Sequence, residues 1–463
     1  MTPTFAVVGH PNKGKSSIVA TLAQNDSIHI AMQPGTTRNS HHYPMSVDGQ
    51  VLYHLVDTPG FQRARKALAW LQAHSRSAAD RRDTVQGFIT QHQGLSQFHD
   101  ECELLRPILQ GAGIIYVVDG SVPYGPEYEA EMEILRWTGQ PSMALINPIA
   151  SDAHVQEWQT ALGQFFRTVR VFNARTAEFD KHLSLLRCFG QLEESWEAPL
   201  NEAIDYLLQQ HRQRRETTCQ QISRMLADML SHQQSIKLPD GVDTEPMKAL
   251  LEQQWQAFQR QREQECRTHI EKLYQHHHLQ RHESGLEWQQ EDLFNTDQWY
   301  LWGLSKTELL AIATGAGAAT GALADLGVGG ASFMLGALGG GVVGGVSAWL
   351  FSAELARFKI KGKLPLGGQQ LTYGPSSHRN FPFVILGRAL YHWQALIRRN
   401  HAWREPLSLD IAPGDWHEQL STSQKLDLEK AFGYCRKQNI DKAMPLLEQH
   451  ILPLLQSLDL LER

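Results

Sequence analysis

The sequence predicts an α/β domain, a mostly parallel sheet with helices on both faces, followed by an α-helical region that contains a Gly-rich hairpin and by a small α+β C-terminal part. Two observations predict the first domain. Short apolar runs alternate with polar helical stretches, which is typical of a parallel sheet covered by helices. The runs end in or beside Gly, Asp or Asn, at the sheet edge where open α/β folds bind ligands. The apolar runs are FAVVG, VLYHLVD, GIIYVVD, SMALIN and TVRVFNA.

The composition narrows the class of protein. A chain of 463 residues has room for two or three domains, and its 42% apolar and 20% charged residues are near soluble averages. A net charge of -6 offers no overall basic field, so no nucleic-acid partner is indicated. Five scattered cysteines without a CxxC pair argue against disulfides or a zinc site and fit a reducing compartment. Because no charged and apolar leader precedes the first run, we expect a cytoplasmic protein.

Residues 9–16, GHPNKGKS, directly follow the first apolar run and precede a helix start. This GxxxxGK[ST] pattern is typical of a phosphate-binding loop, because its glycines let backbone N–H groups and a helix N-terminus face phosphate oxygens. Lys15 is expected to reach the β- and γ-phosphates, and Ser16 to bind Mg²⁺. The residues of this loop predicted to contact the nucleotide are Asn12, Lys13, Gly14, Lys15, Ser16 and Ser17.

Two further motifs complete the predicted phosphate and magnesium site. VDTPG ends a later apolar run, so Asp57 is expected to hold Mg²⁺ through water and the Gly60 N–H to meet the γ-phosphate. PGTTR, residues 34–38, supplies hydroxyls in a loop that can close over the metal, with Thr37 as the predicted ligand and Thr36 as the second choice. The predicted catalytic residues are Lys15, Thr37 and Gly60, and the predicted magnesium ligands are Ser16, Thr37 and Asp57.

With its motifs GxPNxGKS, GTTR and DTPG, the chain resembles the Era, EngA and TrmE class of small GTPases. The resemblance implies a P-loop GTPase domain over residues 1–195 that binds GTP or GDP with Mg²⁺. It also implies a K⁺ site at Asn12, for which a simple turn residue is the alternative, and a homodimer formed through this domain. The rest of the chain resembles the appended region of a bacterial GTPase family that carries the domain of unknown function thirty-four eighty-two.

The second switch differs from that of Ras-type enzymes. Phe61 stands where those enzymes place a water-orienting Gln, so the resemblance implies weak basal hydrolysis, raised by K⁺, dimerisation or a partner. A Phe61 side chain packed on the core is a second interpretation, and the two are compatible. Residues 61–107 are predicted to form a polar, helix-like insertion in this switch. Its arginines could supply a charge-stabilising finger or a partner surface, but a solvated helix face is expected for Arg63, Arg65, Arg76, Arg81 and Arg82.

The motif that normally reads guanine is incomplete. Where NKxD is expected the chain reads INPIASD: Asn147 is in place, but Pro148 replaces Lys, Ala150 stands at the Asp position and Asp152 comes two residues late. In the later VFNAR run, the Ala174 backbone N–H could contact the base carbonyl. Asn147 and Ala174 are therefore the predicted base contacts. Without the carboxylate, discrimination between bases should weaken, so GTP is expected and relaxed base specificity or ATP binding is the alternative.

The second half of the chain is predicted to be mainly helical. Residues 196–302 contain no strand-like runs and show apolar residues at helical spacing, with a break at Lys237–Val242 between two helices. Residues 354–463 are predicted to form an α+β part, in which FKIKGKLPLGGQQLTYG is a hairpin and helices follow from Phe383.

Residues 303–353 form a Gly- and Ala-rich apolar segment. Small residues recur at four-residue spacing, which lets helices pack closely. Aromatic residues flank the segment and basic residues follow it, as at membrane boundaries. We therefore predict a hairpin of Leu309–Leu323 and Phe333–Phe351 that inserts into a membrane or docks on its surface. A buried, soluble glycine-zipper hairpin and a flexible linker are the alternatives.

The predicted function is that of a GTP-binding, Mg²⁺-dependent GTP-hydrolysing switch. It is expected to be regulatory and to act at the inner face of the cytoplasmic membrane, with a membrane or membrane-protein partner. The alternative is a nucleotide-binding scaffold with little hydrolysis that assembles a membrane complex. The resemblance leaves a ribosome-assembly role as a third option, which no RNA-binding module or basic stripe in the sequence supports.

Overall fold

The computed structural model describes the following residues: 2–23, 39–47, 50–177, 179–239, 242–276, 293–294, 302–305, 308–309, 312, 356–361, 369–398 and 415–459. They form two compact units, the first mainly within Met1–Arg212 and the second mainly within Gln213–Arg463. Thr36 and Thr37 lie outside the described residues, as does most of the predicted Gly- and Ala-rich hairpin.

A six-stranded sheet organises the first unit. Its strands are β1 Thr4–Val8, β2 His41–Val47, β3 Gln50–Asp57, β4 Gly113–Asp119, β5 Ser142–Asn147 and β6 Val169–Val171. They lie in the order β2-β3-β1-β4-β5-β6, and every pair is parallel except β2 with β3. The mostly parallel sheet is therefore confirmed, and all five predicted runs are strands. The sequence did not reveal β2, HHYPMSV, because an antiparallel edge strand can be polar and lacks the apolar run of a buried strand.

Helices cover this sheet and fill the predicted insertion. They are α1 Lys15–Leu22, α2 Ala64–His74, α3 Arg81–His92, α4 His99–Leu109, α5 Glu127–Trp137, α6 Val155–Leu162, α7 Phe179–Gly190 and α8 Glu194–Ser231, of which α8 continues into the second unit. The predicted polar insertion at 61–107 thus forms α2, α3 and most of α4. Its buried side chains, such as Leu71, Phe88 and Leu105, join the same apolar core as Tyr116 and Trp158.

The second unit combines helices with a small sheet. Its strands are β7 Gln234–Leu238, β8 Ala356–Lys361 and β9 Gln369–Ser376, and its helices are α9 Glu245–Leu273, α10 Phe381–Arg398, α11 Thr422–Arg436 and α12 Ile440–Leu458. The predicted hairpin is confirmed, because β8 pairs antiparallel with β9. The prediction of helices over 196–302 is wrong at 234–238, although the predicted break at 237–242 does lie between α8 and α9. There QSIKL forms β7, which pairs with β9 over 100 positions later in the chain.

Two residues at the start of the predicted apolar hairpin are described. Leu309 and Ile312 are each 2% exposed. None of the helices that the structure describes is both long enough and apolar enough to cross a membrane.

Candidate nucleotide-binding site

The loop Gly9–Ser16 joins β1 to α1 and depends on its glycines. Gly9 has φ +140° and Gly14 has φ +84°, conformations that strain residues with a side chain. A Cβ at Gly9 would lie 2.4 Å from the Val117 carbonyl oxygen, and one at Gly14 would lie 2.3 Å from Nδ2 of Asn147. At either position a residue with a side chain would be strained by the backbone conformation, and its Cβ atom would have no space.

Lys15 lies inside this curl, with its side chain buried. Its Nζ donates to the His10 carbonyl oxygen at 3.0 Å and to that of Gly9 at 3.4 Å. Burial lowers the pKa of Lys15 to about 8, although the carboxylates of Asp57 and Glu131 act in the opposite direction. Phosphate oxygens beside Nζ would favour the charged form, so the position suits an anionic ligand.

Ser16 and Asp57 meet at the end of the sheet. Parallel pairing of β1 with β3 places Val7 opposite Asp57, and Ser16 Oγ donates to Asp57 Oδ2 at 2.6 Å. A hydroxyl beside a buried carboxylate is an oxygen donor set of the kind that Mg²⁺ prefers. Two of the three predicted metal ligands are thus together, and Thr37, the third, lies outside the described residues.

Gly60 and Phe61 pack directly on the phosphate-binding loop. A Cβ at Gly60 would lie 2.5 Å from the Pro11 backbone nitrogen, so only glycine fits there. The Phe61 N–H donates to the Gly9 carbonyl oxygen at 3.2 Å, while its ring is 1% exposed within the core. The interpretation of Phe61 as a packed core residue is confirmed.

Asn147 and Ala174 lie close together, and they are hydrogen-bonded to each other. Asn147 Nδ2 donates to the Lys13 carbonyl oxygen at 3.3 Å, and its Oδ1 accepts the Ala174 N–H at 3.2 Å. That N–H was predicted to meet the base, and in this structure it is engaged by Asn147. Asp152 is exposed, and the carboxylate expected at position 150 is absent from the sequence. Direct base contact from Asn147 and Ala174 stays a prediction.

Asn12 and Lys13 complete the loop, followed by Ser17 in α1. Asn12 adopts the left-handed conformation with φ 61°, which is compatible with a turn residue, and its K⁺ site stays a prediction. Lys13 Nζ lies 4.0 Å from Asp119 Oδ2 and 5.9 Å from the centre of the Tyr128 ring. The nucleotide contact predicted for Ser17 has no direct support among its described contacts.

The sequence reasoning missed one buried carboxylate under the loop. Glu131 on α5 is 2% exposed, lies 2.8 Å from His10 Nδ1 and accepts the Tyr116 hydroxyl at 2.9 Å. Burial raises the pKa of Glu131, and the hydrogen bond from His10 opposes that rise. Its place on the helix could have revealed it, since Glu131 is three residues from Tyr128 and four from Leu135, on the apolar face.

Three of the five insertion arginines are engaged within the insertion or beside it. Arg63 donates to the Gln97 carbonyl oxygen, Arg82 donates to that of Leu109, and the Arg81 guanidinium lies 4.7 Å from the centre of the Trp137 ring. These contacts favour a structural role over a charge-stabilising finger. Arg65 and Arg76 are exposed, which agrees with the expected solvated face.

Two family models match successive parts of the chain, and the boundary between them, at residues 147–159, lies before the predicted domain end at residue 195. The model described as a domain of unknown function (DUF3482) matches residues 159–445. The model described as a 50S ribosome-binding GTPase matches residues 4–147, which contain the sheet edge, the phosphate-binding loop and DTPG. Residues 4–147 are therefore a GTPase domain.

Curated relatives match only part of the chain. It is 35% identical to GTPase Der of Xylella fastidiosa strain 9a5c over 102 residues, which are 22% of each chain. It is 28% identical to GTPase Der of Paraburkholderia phymatum over 149 residues, 32% of this chain and 27% of that one. The chain thus spans about a quarter of the length of the curated relatives it matches.

Solved structures of Era also align with the chain. One is a point variant of Aquifex aeolicus Era bound to GDP and AlF4⁻, at 14% identity and TM-score 0.25, covering 59% of this chain and 89% of that one. Another is Era in complex with MgGDPNP and nucleotides of 16S ribosomal RNA, at 14% identity and TM-score 0.26, with the same coverage.

Proposed function

The chain belongs to the DUF3482 family, and on that premise we propose that it is a GTP-binding, Mg²⁺-dependent GTP-hydrolysing switch. The observation that carries this proposal is the meeting of Ser16 and Asp57 at 2.6 Å beside the buried Lys15. The loop supplies the phosphate-binding N–H groups, and these three side chains supply the charge and the oxygen ligands. This arrangement supports the proposal that phosphate and Mg²⁺ bind at one place.

Each residue has a separate task in the proposed reaction, in which water attacks the γ-phosphate and releases GDP and phosphate. Lys15 and the loop N–H groups bind the β- and γ-phosphates, while Ser16, Asp57 and Thr37 would hold Mg²⁺, which when bound offsets phosphate charge. The Gly60 N–H contacts the γ-phosphate. Phe61 is buried and has no hydrogen-bonding side chain, so it cannot orient the attacking water. We expect slow basal turnover, faster in K⁺ if Asn12 binds that ion.

Replacing Lys15 tests the phosphate site. Lys15→Ala removes the buried ammonium group, and we expect GTP affinity to fall by about a hundredfold or more, since charged hydrogen bonds to phosphate are lost. Isothermal titration calorimetry with GTP and with GDP measures the affinities. Lys181→Ala, at an exposed position of α7, is the control and should bind as the wild type does. Micromolar GTP affinity retained by Lys15→Ala would refute the assignment.

A second candidate is a nucleotide-binding scaffold with little hydrolysis that assembles a membrane complex. The burial of Phe61 and the missing carboxylate at Ala150 favour it, because a scaffold needs neither a water-orienting group nor strict base selection. Single-turnover assays in KCl and in NaCl separate the two functions. Phosphate release in either salt supports the switch, and none in both supports the scaffold.

Partners and location belong to the same proposal. We retain a membrane or membrane-protein partner at the cytoplasmic face and a homodimer through the GTPase domain. The matched family description names ribosome binding, and this weighs against the expectation that nucleic acid is no partner. Co-sedimentation with ribosomes tests that expectation. Binding of the GTP-loaded protein to ribosomes would overturn it.

A further inference from the structure

The chain from Gly60 to Arg63 is held at successive positions of its backbone. Gly60 packs against Pro11, and the Phe61 N–H donates to the Gly9 carbonyl oxygen. The next two N–H groups, of Gln62 and Arg63, both donate to Oε1 of Glu101, at 2.9 and 2.6 Å. The segment that follows Asp57 is therefore attached to the phosphate-binding loop at one end and to Glu101 at the other.

Glu101 makes these two hydrogen bonds from a buried position on α4. Its side chain is 1% exposed, and in the part of the chain that the structure describes no Lys, Arg or His side chain pairs with it. Its carboxylate faces the N-terminus of α2, where backbone N–H groups lack partners within the helix and where negative charge is favourable. Burying a charge is costly unless it is well bonded, so these two N–H groups account for its presence there.

Helix α4 is itself firmly placed, so Glu101 has a rigid support. Leu104, Leu105 and Ile108 are fully buried in the core. Ser40, just before β2, donates through its hydroxyl to the Glu103 carbonyl oxygen at 2.8 Å, and the Glu103 carboxylate pairs with Arg106. A carboxylate on such a helix can hold a neighbouring backbone to within a fraction of an ångström, which catalytic geometry requires.

We propose that Glu101 is a positioning residue for GTP hydrolysis, which fixes the backbone at Gln62 and Arg63 so that the Gly60 N–H lies where the γ-phosphate binds. The proposal rests on the proposed function above. Gly60 is two residues from Gln62, so a shift of the Gln62 backbone displaces the Gly60 N–H. GDP has no γ-phosphate, and its binding should therefore not depend on Glu101.

Three substitutions test separately the length of the Glu101 side chain, its charge and its complete removal. Glu101→Asp keeps the charge but shortens the side chain by one methylene, Glu101→Gln keeps an acceptor oxygen at the same reach, and Glu101→Ala removes both. We expect single-turnover hydrolysis to fall about threefold or more in the Asp variant and about tenfold or more in the Ala variant, with the Gln variant retaining at least about a third of the rate. GDP affinity should stay within about twofold of wild type in all three.

The measurements use the full chain and include the affinity for a non-hydrolysable GTP analogue relative to GDP. That ratio should fall in the Asp and Ala variants, because the γ-phosphate contact is misplaced. Asp83→Ala, at an exposed position of the same insertion, is the matched control and should change neither value. If the Ala variant does not fold, the Asp variant, which keeps the buried charge, gives the result.

The failure of this proposal is distinguishable from failure of the proposed function. A wild-type protein that binds no GTP refutes the function. A wild-type protein that binds the analogue, with Glu101→Asp showing the same hydrolysis and the same analogue-to-GDP ratio, refutes the positioning role alone. Equal losses of GDP and analogue binding would also refute it, since Glu101 would then support the fold of the site and not its γ-phosphate contact.

Discussion

Asn147 lies between the phosphate-binding loop and the loop after β6, where base contact is predicted. The side-chain NH₂ of Asn147 donates to the Lys13 carbonyl oxygen, and its side-chain oxygen accepts the Ala174 N–H. Asn147 therefore connects the phosphate-binding loop to the loop after β6. The neighbouring Asn173 is closed in the same way, since its Nδ2 donates to the Pro148 carbonyl oxygen at 3.1 Å and its Oδ1 accepts the Arg175 N–H. These amides organise the loops, but neither replaces the carboxylate that Ala150 lacks.

Restoring that carboxylate should strengthen the preference for guanine. In Ala150→Asp, a hydrogen bond from the guanine 2-amino group to a charged acceptor is worth about 1.5–3 kcal/mol, so we expect GTP to be preferred over ITP by about tenfold or more. In the wild type we expect the two nucleotides to bind within about threefold of each other. Competition binding with GTP, ITP and ATP measures these ratios.

Ser151→Asp is the matched control for this change, because it adds the same charge one residue later at an exposed position. It should leave the GTP-to-ITP ratio at the wild-type value. A wild-type protein that already prefers GTP over ITP by about tenfold would contradict the weakened discrimination expected from Ala150.

At the level of secondary-structure elements, α9 and α10 are joined by buried ions. Glu263 Oε1 accepts from Arg267 Nη2 and from Arg388 Nε, each at 2.7 Å, and all three side chains are less than 10% exposed. Burial alone would raise the pKa of Glu263, but Arg267 and Arg388 lower it to about 2. Removing one member of such a buried group leaves the others as uncompensated charges.

The stability of the second unit should therefore depend on acid pH through Glu263. Its folded pKa of about 2 is below the ordinary 4.5, so its stabilisation is complete above pH 4.5 and is lost as the pH falls toward 2. We expect Glu263→Gln to be less stable than wild type at pH 7 by about 3–5 kcal/mol. Urea unfolding at several pH values should show this difference shrinking below pH 4.5.

The neighbouring Glu265 provides the control, since it is exposed on the same helix. Glu265→Gln should change stability little at any pH, because exposed carboxylates are screened by water. A difference between wild type and Glu263→Gln that stays constant from pH 7 to pH 3 would contradict the assigned role of the ion group.

At the scale of the whole molecule, the Gly- and Ala-rich segment remains attached to a well-packed unit at its start. The Leu304 N–H donates to Asn380 Oδ1 at 2.9 Å, and the Ser305 N–H donates to Glu308, which also pairs with Lys425 at 2.6 Å. Leu309 and Ile312 are already buried in protein. If the segment enters a membrane, insertion must begin after Ile312, later than the predicted Leu309.

Membrane insertion predicts a clear result in cell fractionation. We expect the full chain to sediment with membranes and to resist a carbonate wash, because an inserted apolar hairpin is held by the hydrophobic effect and not by charge. A variant in which residues 314–350 are replaced by a short Gly-Ser linker should be soluble, whereas Lys15→Ala should remain with the membranes. Release of the full chain by carbonate would reject an inserted hairpin.

The phosphate side of the site and the main sheet could be predicted because their determinants are local. The loop Gly9–Ser16 is one continuous stretch whose glycines and Lys15 need only their own backbone to form the curl. Buried parallel strands appear as apolar runs, and all five were found. By contrast, β2 at the sheet edge and β7 lack such runs, since one face or one edge of each strand is open to polar residues.

Contacts between residues distant in sequence could not be predicted, because a side chain that bonds to a remote part of the backbone produces no periodic pattern in the sequence. Glu101 is 38 residues from Arg63, and Asn147 is 134 residues from Lys13. Only the folded chain shows that Glu101 accepts hydrogen bonds from the backbone of Gln62 and Arg63, that Asn147 accepts the Ala174 N–H and that β7 pairs with β9. The residues predicted to contact phosphate follow from the motif, whereas the contacts that hold them in place follow from packing.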